Sequence, residues 1–262
     1  MGKTIGILSL KGGVGKTSSA VALADAISKF GKKVLVVDAN FSAPNLGLHL
    51  NVINPEVTLH HVLSRKARII DSIQNVGSFD IIPSSMFEKF EISPLRLKEH
   101  LSAIKRDYDY IILDSSPALN EETLASMFAS DEILIVTTPD YPTLGTTLKA
   151  IKIAKQRGTP INGLILNKVH NRNFEISLAD IEKTAEVPVM AVIPHDVNVL
   201  RALANFTPST SFSPKSEGSH EYMKLAATLI GEKYNPFRFR DLFRVNPKVQ
   251  EINREIFYES VF

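Results

Sequence analysis

A glycine-rich loop near the start of the chain carries the residues best suited to chemistry. It reads Lys11-Gly12-Gly13-Val14-Gly15-Lys16-Thr17 and is followed by Ser18. Glycines allow the backbone to curl so that successive N–H groups point at phosphate oxygens. We expect Lys16 to neutralise the phosphates and the Thr17 hydroxyl to bind Mg²⁺, which takes oxygen ligands. The loop predicts a nucleotide site, although Leu10 stands where the strict motif G-x-x-x-x-G-K-[ST] has its first glycine.

Two aspartates directly follow short apolar runs. Asp38 comes after Val34–Val37, and Asp114 comes after Tyr110–Leu113. Such runs are typical of strands that are buried on both faces of a sheet. Carboxylates at the ends of adjacent strands, facing a phosphate loop, suit a hydrated Mg²⁺. We therefore predict a metal site formed by Thr17, Asp38 and Asp114.

The elements that must position these residues alternate between strands and helices. The predicted strands are Ile5–Leu10, Val34–Val37, Phe79–Pro83, Tyr110–Leu113, Glu132–Thr137, Ile161–Leu166 and Val189–Ile193. The predicted helices are Lys16–Phe30, Thr58–Leu63, Leu95–Lys105, Asn120–Ala129, Leu144–Arg157, Ser177–Ala185, Val197–Ala204 and Ser219–Ile230, with a loop over Asn205–Gly218. This alternation predicts an α/β fold, a mostly parallel twisted sheet with helices on both faces. Ligands of such sheets bind at the carboxyl ends of the strands.

The loop K-G-G-V-G-K-T resembles the deviant Walker A motif of the MinD/ParA ATPases, and the resemblance extends over residues 3–231. It implies ATP and Mg²⁺ as cofactors and a homodimer formed around ATP. In that family the first lysine reaches the partner subunit's nucleotide, and Lys11 is the matching position. Asp114 resembles the Walker B aspartate, and Ser115–Leu119 resembles the second switch. The resemblance assigns catalytic roles to Lys11, Lys16, Asp38 and the position of Asn40.

Asn40 departs from the family pattern, which often has a second aspartate at this position. An amide cannot accept a proton, but it can still orient a water molecule. Phosphoryl transfer depends mainly on positioning and charge stabilisation. We therefore predict slow ATP hydrolysis and a long-lived ATP state, unless another group positions the attacking water.

The residues after two later strands bear on which base is bound. GTPases read guanine with N-K-x-D, but here the sequence is Asn167-Lys168-Val169-His170, which lacks the carboxylate acceptor. Adenine is therefore favoured. Asn167 matches the family's adenine-contacting asparagine, and Pro194 and Asp196 lie in the loop that usually flanks the base.

Composition excludes several classes of protein. The 262 residues are 44% hydrophobic, which is enough for one large domain with a core. The chain contains no cysteine, so disulfides, iron–sulfur clusters and cysteine-ligated zinc are excluded. Its net charge of +2 does not decide on nucleic acid. No apolar run approaches the ~18 residues of a membrane span, and the N-terminal run is too short for a signal peptide. We expect a cytoplasmic protein.

The tail, residues 232–262, is distinct from the ATPase domain predicted over residues 1–231. It holds 5 of the chain's 14 phenylalanines, which is more than a polar linker would contain. Arginines alternate with aromatics over Phe237–Arg244, and Asn246-Pro247 is predicted to begin a helix as N-cap and first residue. Val249, Ile252 and Ile256 follow at helical spacing.

Three interpretations of this tail remain open. It could fold back on the domain, anchor at anionic lipid as MinD C-termini do, or bind a protein partner or DNA. Its glutamates oppose the basic residues and so weaken the lipid and DNA interpretations.

The family resemblance implies an ATP-dependent switch that positions cell-division, chromosome or motility machinery, with an activating protein partner. Two alternatives are a scaffold that binds ATP without hydrolysing it and a metabolic P-loop enzyme of the ligase type. The latter would give little reason for Lys11 or for the tail.

Overall fold

The computed structural model describes residues 2–87, 91–234 and 246–261. Its centre is one eight-stranded sheet in the order β3-β4-β2-β5-β1-β6-β7-β8. The strands are β1 Lys3–Leu8, β2 Val34–Ala39, β3 Gln74–Asn75, β4 Asp80–Ile82, β5 Tyr110–Ser115, β6 Glu132–Thr137, β7 Ile161–Val169 and β8 Val189–Pro194. All neighbouring strands run parallel except β3, which pairs antiparallel with β4. The carboxyl ends of the parallel strands therefore meet along one edge of the sheet.

Helices cover both faces of the sheet. They are α1 Lys16–Ser28, α2 Leu46–His49, α3 Leu59–Leu63, α4 Leu97–Ser102, α5 Glu121–Ala129, α6 Tyr141–Arg157, α7 Leu178–Ala185, α8 Val197–Ala204, α9 Ser209–Phe212, α10 Glu217–Ile230 and α11 Val249–Val261, with 3-10 turns at Ile69–Ser72 and Pro94–Arg96. Side chains of α1 and α10 pack together on one face. Those of α6 and α7, and those of α3 and α4, pack on the other.

Local sequence explains where many of these helices begin and end. Asn120, Asp140, Ser177, Asp196 and Ser216 are N-caps whose side chains accept a backbone N–H of the first turn. Gly158 and Gly231 end α6 and α10 in the left-handed conformation. The central strands are buried on both faces, as β-branched apolar runs predict.

The predicted alternation and the mostly parallel sheet are confirmed, but some boundaries were wrong. The loop expected over 205–218 contains α9, and α10 already begins at Glu217. Tertiary contact fixes α9, because the buried Thr210 hydroxyl donates to Asp25. The helix expected over 95–105 divides into a 3-10 turn and α4. Its last turns tighten into bonds between residues three apart.

The start of α11 was also predicted wrongly. The helix begins at Val249, two residues after Pro247. The Glu251 carboxylate accepts the backbone N–H of Lys248, and this bond makes Lys248 the N-cap in place of Asn246. The arginine–phenylalanine segment Phe237–Arg244 lies outside the described residues.

Within the described ranges, we find no helix whose length and hydropathy would allow it to cross a bilayer.

Candidate functional site

The glycine-rich loop connects β1 to α1, and the backbone conformation requires two of its three glycines. Gly13 and Gly15 have φ angles of +77° and +97°, which L side chains rarely adopt. A Cβ at Gly15 would also lie 2.3 Å from Asn167 Nδ2. By contrast, Gly12 faces open space. The backbone is therefore held in the curl that presents N–H groups to a phosphate.

Two side chains at the carboxyl end of β7 hydrogen-bond to the backbone of the phosphate loop. Asn167 Nδ2 donates to Val14 O at 2.7 Å, and Lys168 Nζ donates to Gly13 O at 2.6 Å. Asn167 was predicted to contact the base, and the structure adds a bond to the phosphate loop. The contact of Lys168 was not predicted. The sequence feature that could have indicated this contact is the position of Lys168 next to Asn167, at the carboxyl end of a strand.

The two aspartates are brought together as predicted from their strands. Asp38 and Asp114 are paired in register on adjacent parallel strands, and both are buried. Asp38 accepts the backbone N–H groups of Asn40, Asn45 and Leu46. Burial, reinforced by the charge of Asp114, raises the pKa of Asp38 well above its ordinary value. Burial also raises the pKa of Asp114, against a hydrogen bond from Thr17.

The chemistry of this cluster fits a divalent cation. Thr17 Oγ1 donates to Asp114 Oδ2 at 2.6 Å, while Asp114 Oδ1 is buried without a hydrogen-bond partner among the described residues. Two carboxylates and a hydroxyl are the oxygen ligands that Mg²⁺ prefers. Lys16 is also buried here, and burial lowers its pKa although Asp114 opposes that shift. A ligand with phosphates and Mg²⁺ would balance these charges.

Lys11, at the beginning of the phosphate loop, is held by the start of α6. Its Nζ donates to Thr143 Oγ1 at 2.6 Å and to Asp140 Oδ1 at 3.2 Å. Burial would raise the pKa of Asp140, but hydrogen bonds from Thr138, Thr143 and Lys11 outweigh it and lower the value to about 2. The side chain of Lys11 remains 38% exposed. Sequence reasoning missed these partners, whose signal was their position after the carboxyl end of β6.

Asn40 is buried directly after β2, and only one end of its side-chain amide has a hydrogen-bond partner among the described residues. Its Nδ2 donates to Ala43 O at 2.5 Å, and its Oδ1 has no hydrogen-bond partner within the described chain. A free, buried acceptor next to the paired aspartates is suited to a water molecule.

The loops after β7 and β8 also meet. The His195 backbone N–H donates to Val169 O, and the rings of His170 and His195 stack with centroids 4.4 Å apart. Pro194 ends β8. The Asp196 carboxylate accepts the N–H of Asn198 and caps α8, so part of its hydrogen-bonding capacity is structural. Ser18 is half-buried in the first turn of α1.

A glycine-rich turn between a strand and a helix, with a lysine, a threonine and two strand-end carboxylates around it, defines the class of P-loop nucleotide-binding proteins. Comparison with known proteins narrows this class. The family model described as "AAA domain" matches residues 2–165. An uncharacterised ATP-binding protein of Methanocaldococcus jannaschii is 39% identical over 89% of this chain and 90% of the relative.

Two further relatives have named roles. The sporulation initiation inhibitor protein Soj of Bacillus subtilis is 31% identical over 86% of this chain and 97% of its own. The septum site-determining protein MinD of Pyrococcus horikoshii, solved in complex with Mg-ADP, is 30% identical with a TM-score of 0.81. That match covers 87% of this chain and 96% of the relative. The chain belongs to the MinD/ParA family of P-loop ATPases, and the family predicted from its phosphate loop is confirmed.

Proposed function

We propose that this protein binds ATP with Mg²⁺, forms a homodimer around it, and hydrolyses it slowly to reset the dimer. The observation that carries the proposal is the position of Lys11. It lies at the rim of a phosphate loop that already has the buried Lys16, and it remains partly exposed. Lys16 already neutralises the phosphates of the nucleotide in its own site, so a second lysine is not needed there. Lys11 could instead bind the phosphates of a nucleotide held by a second copy of the chain.

Each part of the site has a role in ATP binding under this proposal. The backbone of Gly12–Gly15 surrounds the phosphates, and Lys16 neutralises them. Thr17 and Asp114 hold Mg²⁺, with Asp38 next to them, and Ser18 adds a hydroxyl to the loop. Bound Mg²⁺ would neutralise the charge that develops on the phosphates. Asn167, Pro194 and Asp196 flank an adenine, since His170 provides no carboxylate for guanine.

Dimerisation requires Lys11 to exchange its partners. In the structure it donates to Asp140 and Thr143 of its own chain. A multiply charged phosphate is a stronger partner than one carboxylate that hydrogen bonds already satisfy. ATP on a second copy would therefore draw Lys11 across the interface, while ADP offers less charge.

Slow hydrolysis follows from Asn40. Its free Oδ1 can orient the attacking water by accepting a hydrogen bond, but it cannot take the proton. The same feature supports a second candidate, a scaffold that keeps ATP without turning it over. Turnover by the wild-type protein separates these two candidates.

The relatives suggest the type of process. Their names refer to septum placement and to the control of sporulation. We infer that this chain positions cellular cargo through an activating protein partner, at or near a surface such as a membrane or DNA. We assign contact with a partner to residues 232–262.

Sedimentation velocity with ATP and Mg²⁺ tests the dimer. We expect the wild type to dimerise with ATP and to remain monomeric with ADP. Lys11→Ala should bind ATP but stay monomeric, whereas Lys16→Ala should lose ATP binding. Lys149→Ala, which removes an exposed lysine of α6, is the matched control and should dimerise normally. Equal dimerisation of Lys11→Ala and wild type would reject the proposal.

Steady-state phosphate release tests the role of Asn40. We expect Asn40→Asp to raise turnover about a hundredfold, the lower end of the range that a positioned general base contributes. Ser64→Ala, a change outside the site, should leave turnover unaltered. No gain from the new carboxylate would show that another group positions the water.

A further inference from the structure

Helix α11 lies against the edge strand of the sheet and docks through polar side chains together with Phe257, which packs against the hydrophobic core. Arg254 Nη1 donates to Met190 O at 2.7 Å and to Glu221 Oε2 at 3.0 Å, and Arg254 is buried. Asn253 Nδ2 donates to Glu182 Oε1 and to Val189 O. These bonds satisfy backbone carbonyls of β8 and fix the orientation of the helix.

The opposite face of α11 leaves three apolar side chains in solvent. Val249, Ile252 and Ile256 are 47%, 41% and 59% exposed. Their spacings of three and four residues place them in one stripe along the helix. The three apolar residues that the sequence placed at helical spacing are therefore exposed. An exposed apolar stripe on an otherwise well-packed helix is typical of an interaction surface.

The exposed charged side chains of α11 beside this stripe are negative, and Lys248, directly before the helix, is paired with Glu217. Glu255 and Glu259 are exposed and lie one turn apart next to Ile252. Arg254 is the only basic residue of α11, and its ion pair with Glu221 withdraws it from the surface. The exposed charges of the helix are thus carboxylates.

The acidic charge of this face indicates which kind of partner could bind there. Anionic lipid and DNA attract basic surfaces and are repelled by exposed carboxylates. A second copy meeting the same face would bring two acidic rims together. A cationic amphipathic helix matches both features, because its apolar side chains cover the stripe and its lysines or arginines meet the glutamates.

We propose that the outward face of α11, formed by Val249, Ile252 and Ile256 with Glu255 and Glu259, is a docking surface for a cationic amphipathic helix of a protein partner. The surface is small, and it predicts a reversible contact with a dissociation constant in the micromolar range.

Fluorescence anisotropy with the full chain tests this surface. The probe is a labelled synthetic helix of about 18 residues with leucines on one face and lysines elsewhere. A matched probe carries glutamates in place of the lysines. We expect micromolar binding of the cationic peptide only. Ile252→Ser with Ile256→Ser should weaken it about tenfold or more, because apolar area is no longer covered. Glu255→Lys with Glu259→Lys should reverse the preference between the two peptides.

Exposed isoleucines elsewhere provide the control. Ile53→Ser with Ile70→Ser removes side chains that are 46% and 51% exposed, away from α11, and should leave peptide binding unchanged. Thermal midpoints of both serine pairs should match the wild type, since all four side chains lie at the surface.

Three results would overturn the proposal. One is equal peptide binding by the wild type and the α11 serine pair. Another is capture of the wild type, but not of that pair, by vesicles of phosphatidylcholine and phosphatidylglycerol or by duplex DNA. The third is self-association of the wild type that the α11 serine pair loses.

Discussion

Asp38 and Asp114 are suited to binding a ligand, but they lower the stability of the ligand-free protein. Two carboxyl groups are buried side by side, and Asp114 Oδ1 has no partner in the described structure. Because the folded state raises both pKa values, it holds protons that the unfolded chain releases above about pH 4. The pair therefore destabilises the ligand-free protein as pH rises from about 4 to 7. Functional sites commonly carry such a cost.

Asp114→Asn should stabilise the ligand-free protein at pH 7 by about 1 kcal/mol. The amide oxygen can still accept from Thr17, and one buried negative charge is removed. The gain should shrink toward pH 4, because the raised pKa values let the wild-type carboxyl groups take up protons as the pH falls. Urea denaturation at the two pH values measures it. Asp107→Asn, at an exposed aspartate, should change neither curve, and a destabilised Asp114→Asn at pH 7 would contradict the argument.

At the scale of elements, the buried Asp25 connects α1 to two distant segments. Its carboxylate accepts from Lys29 directly after α1, from Thr210 and Ser211 of α9, and from Ser78 before β4. Burial would raise its pKa, but these donors together lower it. The depressed value means that Asp25 stabilises the fold above the unfolded pKa of about 4, and that this contribution is lost as pH falls through the folded value.

Asp25→Asn should destabilise the protein at pH 7 by about 1–3 kcal/mol, because it replaces charge-assisted bonds and turns one acceptor into a donor. The difference from wild type should narrow toward pH 3. Chemical denaturation monitored by circular dichroism gives both values. Asp71→Asn, in the exposed pair with Arg68, is the control and should behave as wild type. A constant difference across this pH range would count against the assigned role.

For the whole molecule, the proposed ATP dimer implies a coupling between stability and concentration. A species that forms only from folded monomers raises the thermal midpoint by mass action. We expect the midpoint with ATP and Mg²⁺ to rise with protein concentration, and the midpoint without nucleotide to remain constant. Differential scanning fluorimetry over a hundredfold concentration range measures both.

Lys11→Ala separates ligand binding from dimerisation in this measurement. It should keep the rise caused by ATP but lose the dependence on protein concentration. If the wild-type midpoint with ATP were independent of concentration, the dimer would be rejected at these concentrations.

The sequence predicted the parts of this molecule that depend on short-range pattern. Strand-end positions placed Asp38 and Asp114 together, and the loop chemistry indicated the phosphate site. Contacts between segments that are distant in the sequence could not be predicted. The short helix α9 forms around a bond to Asp25, and no periodicity in residues 205–218 reveals it. The spacing of Val249, Ile252 and Ile256 did not reveal the docked face of α11, because that face depends on Glu221, on the backbone of β8 and on the packing of Phe257 against the core.

The stacked rings of His170 and His195 offer a way to observe the base loops in solution. Each ring current should shift the Cε1 proton of the other upfield, and the chain has only seven histidines to resolve. The loops after β7 and β8 would have to adjust for a nucleobase, and a small change in ring spacing would move both resonances. Two natural protons would then report on the occupancy of the site in one-dimensional spectra, without an added label, in a protein that lacks tryptophan.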